Sequence, residues 1–345
     1  MQAQRMNRQK IYASFNGSQS TKNLSELCIE LLEEQKKTWP ELKDAYEYLK
    51  HIKVKNLQCK GYSVQIQHNP KRAKSSTAST DFAHINSRPC FLCVDNLPEA
   101  QMGILYRDEY LILCNPAPVF LNHLTISYLK HIPQGIGENI NILIQLAQDL
   151  GPNWLTLYNG PRCGASAPDH MHFQAIPKGY TPVEKDLQDE NKFILSAQSE
   201  EVFIYKSKDI GREIILLEGA GKYTIAGVFI SFLEALKSVI KTEDEPMINI
   251  VCFVEGGKWY ILIFPRSKHR PEVFFRDDDE KITVSPAVIE MAGVIITPFE
   301  RDFLRLDASK VEAIYHEVSL DRKKLECTLL ICHNKKKIKN LYQKR

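Results

Sequence analysis

Between Tyr110 and Pro177 the chain alternates pattern types in an order that few folds accommodate. "YLILCN" (Tyr110 to Asn115) and "NHLTISY" (Asn122 to Tyr128) read as strands joined by the turn "PAPVFL". "GENINILIQLAQDLG" (Gly137 to Gly151) carries apolar residues at helical spacing and ends on a glycine. "WLTLYN" (Trp154 to Asn159) and "HMHFQAIP" (His170 to Pro177) return to strand character. A β-β-α-β-β order with short connections predicts an α+β fold, an antiparallel sheet with a helix packed on one face.

The last of these strands raises the chemical question. Alternate residues of a strand share a face. His170, His172 and Gln174 therefore point one way and Met171, Phe173 and Ala175 the other. The apolar set suits a core, while two imidazoles and an amide must meet a cleft, a metal or solvent. A lone pair of histidines two residues apart is more often incidental. Here it follows "NGPRCGAS" (Asn159 to Ser166), a glycine-rich loop able to bring backbone N–H groups to an anion. A neutral imidazole attacks phosphorus without first losing a proton, and the resulting phosphoramidate leaves readily.

Further along, "VFIYK" and "EIILLEG" read as strands and "IAGVFISFLEALKSVI" as a helix. "INIVCFVEGGKWYILIFPR" reads as a hairpin turning at Gly256-Gly257. "DASKVEAIYHEVSL" is a helix with Asp307 or Ser309 as N-cap. Residues 22 to 52 are helical, with Leu24, Leu27, Cys28, Leu31 and Leu32 on one face and Pro40 separating two helices. The expected division is an N-terminal helical segment (1–64), a catalytic half (65–185) and a C-terminal α+β half (186–345), with the lysine-rich end (Lys335 to Lys339) solvated.

Composition excludes some classes. A net charge of +3 over 345 residues does not argue for nucleic acid. No apolar run approaches the ~18 residues of a membrane span, and the N-terminus lacks an apolar signal region. Nine cysteines, an odd number, do not read as a secreted disulfide framework, so a cytoplasmic setting with reduced thiols is expected.

"RPCFLC" pairs Cys90 with Cys93, a bite for one zinc ion that needs two further ligands. His123 and His170 are the preferred candidates, with His84 and His131 as alternatives. Two ordinary core cysteines also fit the spacing. Lys71 and Arg72 in "HNPKRAKSSTAST" suit phosphate charge as well as they suit a solvated loop. The same holds for Arg266, Lys268, His269 and Arg270 in "PRSKHRP". "EGAGKYT" (Glu218 to Thr224) only superficially resembles a P-loop, since Leu216 replaces the first glycine and Tyr223 the hydroxyl residue.

"GASAPDHMHFQ" resembles the HxHxQ signature of the transferase and phosphorylase branch of the histidine-triad superfamily. That branch includes uridylyltransferases, dinucleoside tetraphosphate phosphorylases and GDP-hexose phosphorylases. "HMHFQA", "VSPAVIEMAG" and "HEVSL" resemble the last group, with "NPKRAKSS" and "NHLTISYLKHIPQ" as looser matches, whereas "CFLC" resembles the zinc pair of the uridylyltransferases. The resemblance implies a HIT-like sheet in two related halves. It implies His172 as nucleophile, Gln174 on the phosphoryl oxygens and His170 beside them. Asn159, Gly164 and Ser166 match its phosphate-binding loop, in which Gly160 also falls; Arg72 is a substrate-contact candidate on its charge alone. It implies structural zinc on Cys90, Cys93, His123 and His170. The spacing from "GAS" to the first histidine is one residue longer than in the tetraphosphate phosphorylases. The expected activity is nucleotidyl transfer or phosphorolysis of a nucleoside diphosphate sugar, GDP-hexose favoured. Phosphate or a sugar phosphate is the acceptor, hexose 1-phosphate the product, and relatives allow a homodimer. A uridylyltransferase, a dinucleoside polyphosphate phosphorylase and a non-catalytic nucleotide-binding protein are the alternatives.

Overall fold

A computed structural model describes residues 10–77, 85 and 87–342, without side-chain detail at 74, 75 and 334–342. His84 lies outside the described residues.

The described residues begin with strand β1 (Ile11–Phe15), then helices α1 (Leu24–Thr38) and α2 (Pro40–Leu49). Asn23 caps α1 by accepting from the Glu26 N–H, and Pro40 starts α2. Strands β2 (Lys53–Gln58) and β3 (Ser63–His68) form a hairpin. The first half of the main sheet comprises β4 (Gly103–Tyr106), β5 (Tyr110–Cys114), β6 (Leu124–Tyr128), helix α3 (Ile140–Leu150), β7 (Trp154–Asn159) and β8 (His172–Pro177). The second comprises β9 (Phe193–Ser199), β10 (Val202–Ser207), β11 (Ile215–Gly219), helix α4 (Lys222–Ile240), β12 (Ile248–Glu255) and β13 (Lys258–Pro265). Strand β14 (Val294–Thr297) and helices α5 (Ala308–Val318) and α6 (Arg322–Tyr342) complete the chain.

Eleven strands form one sheet in the order β1-β4-β5-β6-β8-β7-β12-β13-β11-β10-β9. Each half runs β-β-β-α-β-β, and in each the fifth strand lies between the third and the fourth. The halves are thus topological repeats. They meet where β7 pairs with β12, Asn159 opposite Asn249. The sheet is antiparallel except at its β1–β4 edge. A smaller sheet, β14-β3-β2, joins the N-terminal hairpin to the C-terminal region, with β14 parallel to β3.

One face of the main sheet carries Met171, Phe173 and Ala175 into a core shared with α1, α3 and α4. Phe173 is fully buried between Tyr110 and Tyr158. The opposite face packs Leu155, Leu157 and Ile176 against Val288, Val294 and Ile295 of the C-terminal region. The hairpin at Gly256-Gly257 has both glycines at positive φ, 57° and 76°, the backbone a two-residue turn requires. Asp307 caps α5 through the Lys310 N–H.

Helix α4 revises one sequence expectation. By length and composition it could cross a membrane. Its interruptions are glycine, serine and isolated charges, so no unbroken apolar run announced it. It packs as a core helix, burying Ile225, Val228, Phe229, Phe232, Leu233 and Leu236.

Candidate active site and metal centre

Strand β8 begins at His172, two residues later than the alternation suggested, so His170 precedes the strand. The two histidines consequently part company. The His172 backbone is held by Gln134, whose Oε1 accepts from the His172 N–H at 2.8 Å and whose Nε2 donates to the His172 carbonyl at 3.0 Å. The ring is oriented by its own neighbour, with Nδ1 lying 2.8 Å from the His170 carbonyl oxygen. A carbonyl only accepts, so Nδ1 carries the hydrogen and Nε2 keeps its lone pair. Among the described residues Nε2 has no hydrogen-bond partner. Burial, with His170 nearby, lowers the His172 pKa to about 4, so the ring is neutral at neutral pH.

Gln174 pairs across the strands with Thr125 and Leu157. Its Oε1 lies 2.8 Å from His123 Nε2. His123 Nδ1 accepts from the Val119 N–H at 3.2 Å, which leaves the proton on Nε2 as donor to Gln174. The Gln174 amide is thereby fixed with its oxygen toward His123 and its NH2 available to a ligand. Burial and the charge of Arg72 push the His123 pKa down to about 3.

This corrects the ligand set read from the sequence. His123 is not a metal ligand in this geometry. The fourth position beside Cys90, Cys93 and His170 belongs to His131, and the four donor atoms all lie within 4.8 Å of one another. The strand register explains the exchange. His123 immediately precedes β6 at the end next to Gln174, whereas His131 follows β6 at the end next to His170. Cys90 Sγ is 3.2 Å from His170 Nδ1, Cys93 Sγ is 3.2 Å from His131 Nδ1, and Cys93 Sγ is 3.6 Å from His170 Nδ1. Ligand–ligand edges of about 3.6 Å follow from zinc–sulfur and zinc–nitrogen bonds of about 2.3 and 2.0 Å in a tetrahedron. Each imidazole has its outer nitrogen engaged: His170 Nε2 donates to the Tyr128 carbonyl at 2.7 Å, and His131 Nε2 faces Asp169 at 3.6 Å. The His170 Nδ1 lone pair therefore faces the thiols. Without a cation, burial and the neighbouring Cys90 push the Cys93 thiol up to about 11. This Cys90/Cys93/His131/His170 group is able to bind a metal ion.

The loop after β7 is pinned across the seam. Asn159 Oδ1 accepts from Asn249 Nδ2 and from the Val288 N–H, both at 2.8 Å. Gly160 spends its N–H on the Ile248 carbonyl, so it acts as a turn residue rather than an anion donor. Gly164 sits at φ +108°, and a Cβ there would stand 2.5 Å from Ala287 Cβ. Among the described residues the N–H groups of Gly164, Ala165 and Ser166 donate to no protein acceptor. The exposed Ser166 side chain is likewise without a partner there. Successive N–H groups without protein acceptors are the kind of donors that can meet an anion.

Arg72 is drawn in by a bond from Nη1 to the Ala117 carbonyl at 2.7 Å. It lies beside a recess of about 260 Å³ lined by Glu41, Asn69, Lys71, Arg72, Ala117 and Pro118. Arg266 donates to Asn249, Pro286, Val318, Lys268 and His269, which makes it a structural tie between segments rather than a substrate contact. Sequence reasoning missed Gln134 and Glu245. Gln134 carried the weakest of signals, an amide beside a proline, and only the fold places it against His172.

A family model described as a domain of unknown function (DUF4922) matches residues 31–177, a stretch holding the histidines, the thiols and the loop. No curated protein matches the sequence. Crystal structures of yeast Ap4A phosphorylase Apa2 share the fold. The complex with AMP is 16% identical, with a TM-score of 0.54, covering 84% of this chain and 96% of that one. The complex with Ap4A is 15% identical, with a TM-score of 0.52, covering 83% and 97%. An ADP-glucose phosphorylase from Arabidopsis thaliana, with bound ADP-glucose, is 14% identical with a TM-score of 0.36, covering 78% and 100%. At 16% identity the likeness to these structures shows a shared fold, the α+β architecture expected from the sequence.

Proposed function

We propose that this chain is a nucleotidyltransferase of the phosphorylase type, acting through a covalent nucleotidyl-histidine on His172. The single observation that carries the reading is the His172 ring, protonated at Nδ1 by its bond to the His170 carbonyl and bare at Nε2. Nε2 attacks the α-phosphorus, a P–N bond forms, and the P–O bond to the leaving group breaks. An acceptor oxygen then attacks the same phosphorus, breaking the P–N bond and restoring the imidazole. Gln174 NH2 and the N–H groups of Gly164, Ala165 and Ser166 stabilise charge on the non-bridging oxygens. A glutamine at the third position, neutral and tied to His123, supplies a donor without a proton to give away, which suits transfer better than hydrolysis.

The preferred donor is a nucleoside diphosphate sugar, GDP-hexose first, with inorganic phosphate or a sugar phosphate as acceptor and hexose 1-phosphate released. A dinucleoside polyphosphate is the second reading, favoured by the fold likeness to the yeast Ap4A phosphorylase. Zinc is the ion proposed for Cys90, Cys93, His131 and His170. Bound there it neutralises the thiolates and ties the segments around β6 to the approach of β8. Incubation with donor labelled at the α-phosphorus, followed by denaturation, tests the reading. Acid-labile, alkali-stable label is expected on the native chain and none on His172→Gly, and native chain without label defeats the proposal. Phosphate-dependent turnover of GDP-hexoses, ADP-glucose, UDP-hexoses and Ap4A then separates the donors.

A further inference from the structure

We infer that Gln134 is a positioning residue for His172, and that Glu245 from the second half of the chain holds the Gln134 loop in place. The inference rests on the nucleotidyl-histidine reading and identifies what aims the nucleophile.

At the start of β8 the neighbouring strands no longer supply every partner. The β7–β8 ladder runs from Trp154–Pro177 to Leu157–Gln174 and stops two residues short of His172. The Gln134 side chain substitutes for the missing strand. Its amide has the donor and acceptor of a peptide group, and it uses both on His172. The same Nε2 also donates to the Asn159 carbonyl at 2.9 Å, tying the phosphate-loop entry to the nucleophile. With the side chain only 5% exposed, these bonds face no competing water.

Gln134 is fixed from two directions. Its own N–H donates to the Pro168 carbonyl, on the segment leading into His170. Two residues on, the Ile136 N–H donates to Glu245 Oε2 at 2.6 Å, and Tyr158 OH donates to Glu245 Oε1 at 2.6 Å. Glu245 lies between α4 and β12, so the second half reaches across the seam to the loop that holds the nucleophile. A hydrophobic residue at 134 would fill the space but leave His172 N–H, His172 O and Asn159 O unsatisfied by it. Only a side-chain amide of this length serves all three.

The test compares the native chain with Gln134→Ala and Gln134→Glu in single turnover, measuring label transfer to His172, with donor affinity measured separately on each. Misplacing a nucleophile by about 1 Å costs on the order of 100-fold in rate. Gln134→Ala is therefore expected to label about 100-fold more slowly with donor affinity changed less than about threefold, and to lose hydrogen-exchange protection at the His172 amide. Gln134→Glu keeps the acceptor for His172 N–H but, as a carboxylate, loses both donor contacts. It is expected to lie between the two in rate and to retain the protection. Should Gln134→Ala fail to fold, the near-isosteric Glu variant carries the comparison. Equal labelling rates in native and variant chains overturn the positioning role alone. Failure of the native chain to label overturns the nucleotidyl-histidine reading, and the positioning role with it.

Discussion

His123 and Gln174 form one unit: the imidazole Nε2–H donates to the amide oxygen at 2.8 Å, and the imidazole is itself held by the Val119 N–H. The pair decides which end of the glutamine faces a ligand. His123→Ala removes a buried partner on both sides and is expected to cost about 1–3 kcal/mol of stability. It also releases the Gln174 amide to flip, lowering the rate of nucleotidyl transfer. Urea titration and single-turnover labelling on the same preparation check the two effects.

The His123 ring also sets a pH dependence. Its folded pKa of about 3 lies below the ordinary value near 6.5. Between these values the unfolded chain binds more protons, so unfolding free energy rises with pH. The contribution is complete above about pH 6.5 and is lost progressively as pH falls toward 3. Urea midpoints from pH 7.5 to 4 should fall more steeply for the native chain than for His123→Gln. Parallel slopes would contradict this.

The candidate metal centre distinguishes two histidines that lie eight residues apart in sequence. Purified without chelator, the protein is expected to hold about one zinc per chain, as a closed four-ligand site does. His131→Ala should lose that zinc and lower the melting temperature. His123→Ala should keep it. Elemental analysis of both variants gives the answer, and retention of zinc by His131→Ala would count against the assignment.

Gly164 holds a backbone that a side chain resists. At φ +108°, with Ala287 Cβ 2.5 Å from any added Cβ, Gly164→Ala must shift the loop or the 285–288 segment. A loss of about 1–3 kcal/mol is expected, together with weaker donor binding. Differential scanning calorimetry and equilibrium binding of a nucleoside diphosphate measure the two consequences.

Much of the fold was legible because hydrophobic period and turn chemistry are local. The helices on either side of Pro40, the Gly256-Gly257 hairpin, the Asp307 cap and the core-facing set Met171, Phe173 and Ala175 all stand as read. The strand face read as meeting a cleft, a metal or solvent divides, with His172 and Gln174 on β8 and His170 among the metal-capable donors. His170 lies before β8, and its ring turns to the thiols. The confusion of His123 with His131 has the same origin. Both flank β6, and only the antiparallel register against β8 tells which end meets Gln174 and which meets His170. Gln134 and Glu245 were invisible because their partners are 38 and 109 residues away. No local pattern encodes such distances. Within the glycine loop the glycines divide the labour. Gly160 makes the turn, and Gly164 permits close approach to Ala287.

The β7–β12 pairing has a consequence for how the molecule comes apart. Asn159 depends on Asn249 and Val288, and the Gln134 loop on Glu245, all from the far side of that pairing. A polypeptide ending near residue 186 would expose β7 as a raw edge and strip these supports, leaving an inert, association-prone fragment. Two fragments made together, by contrast, carry complementary edges. Mixing them during refolding should reconstitute what neither provides, in the manner of a split enzyme.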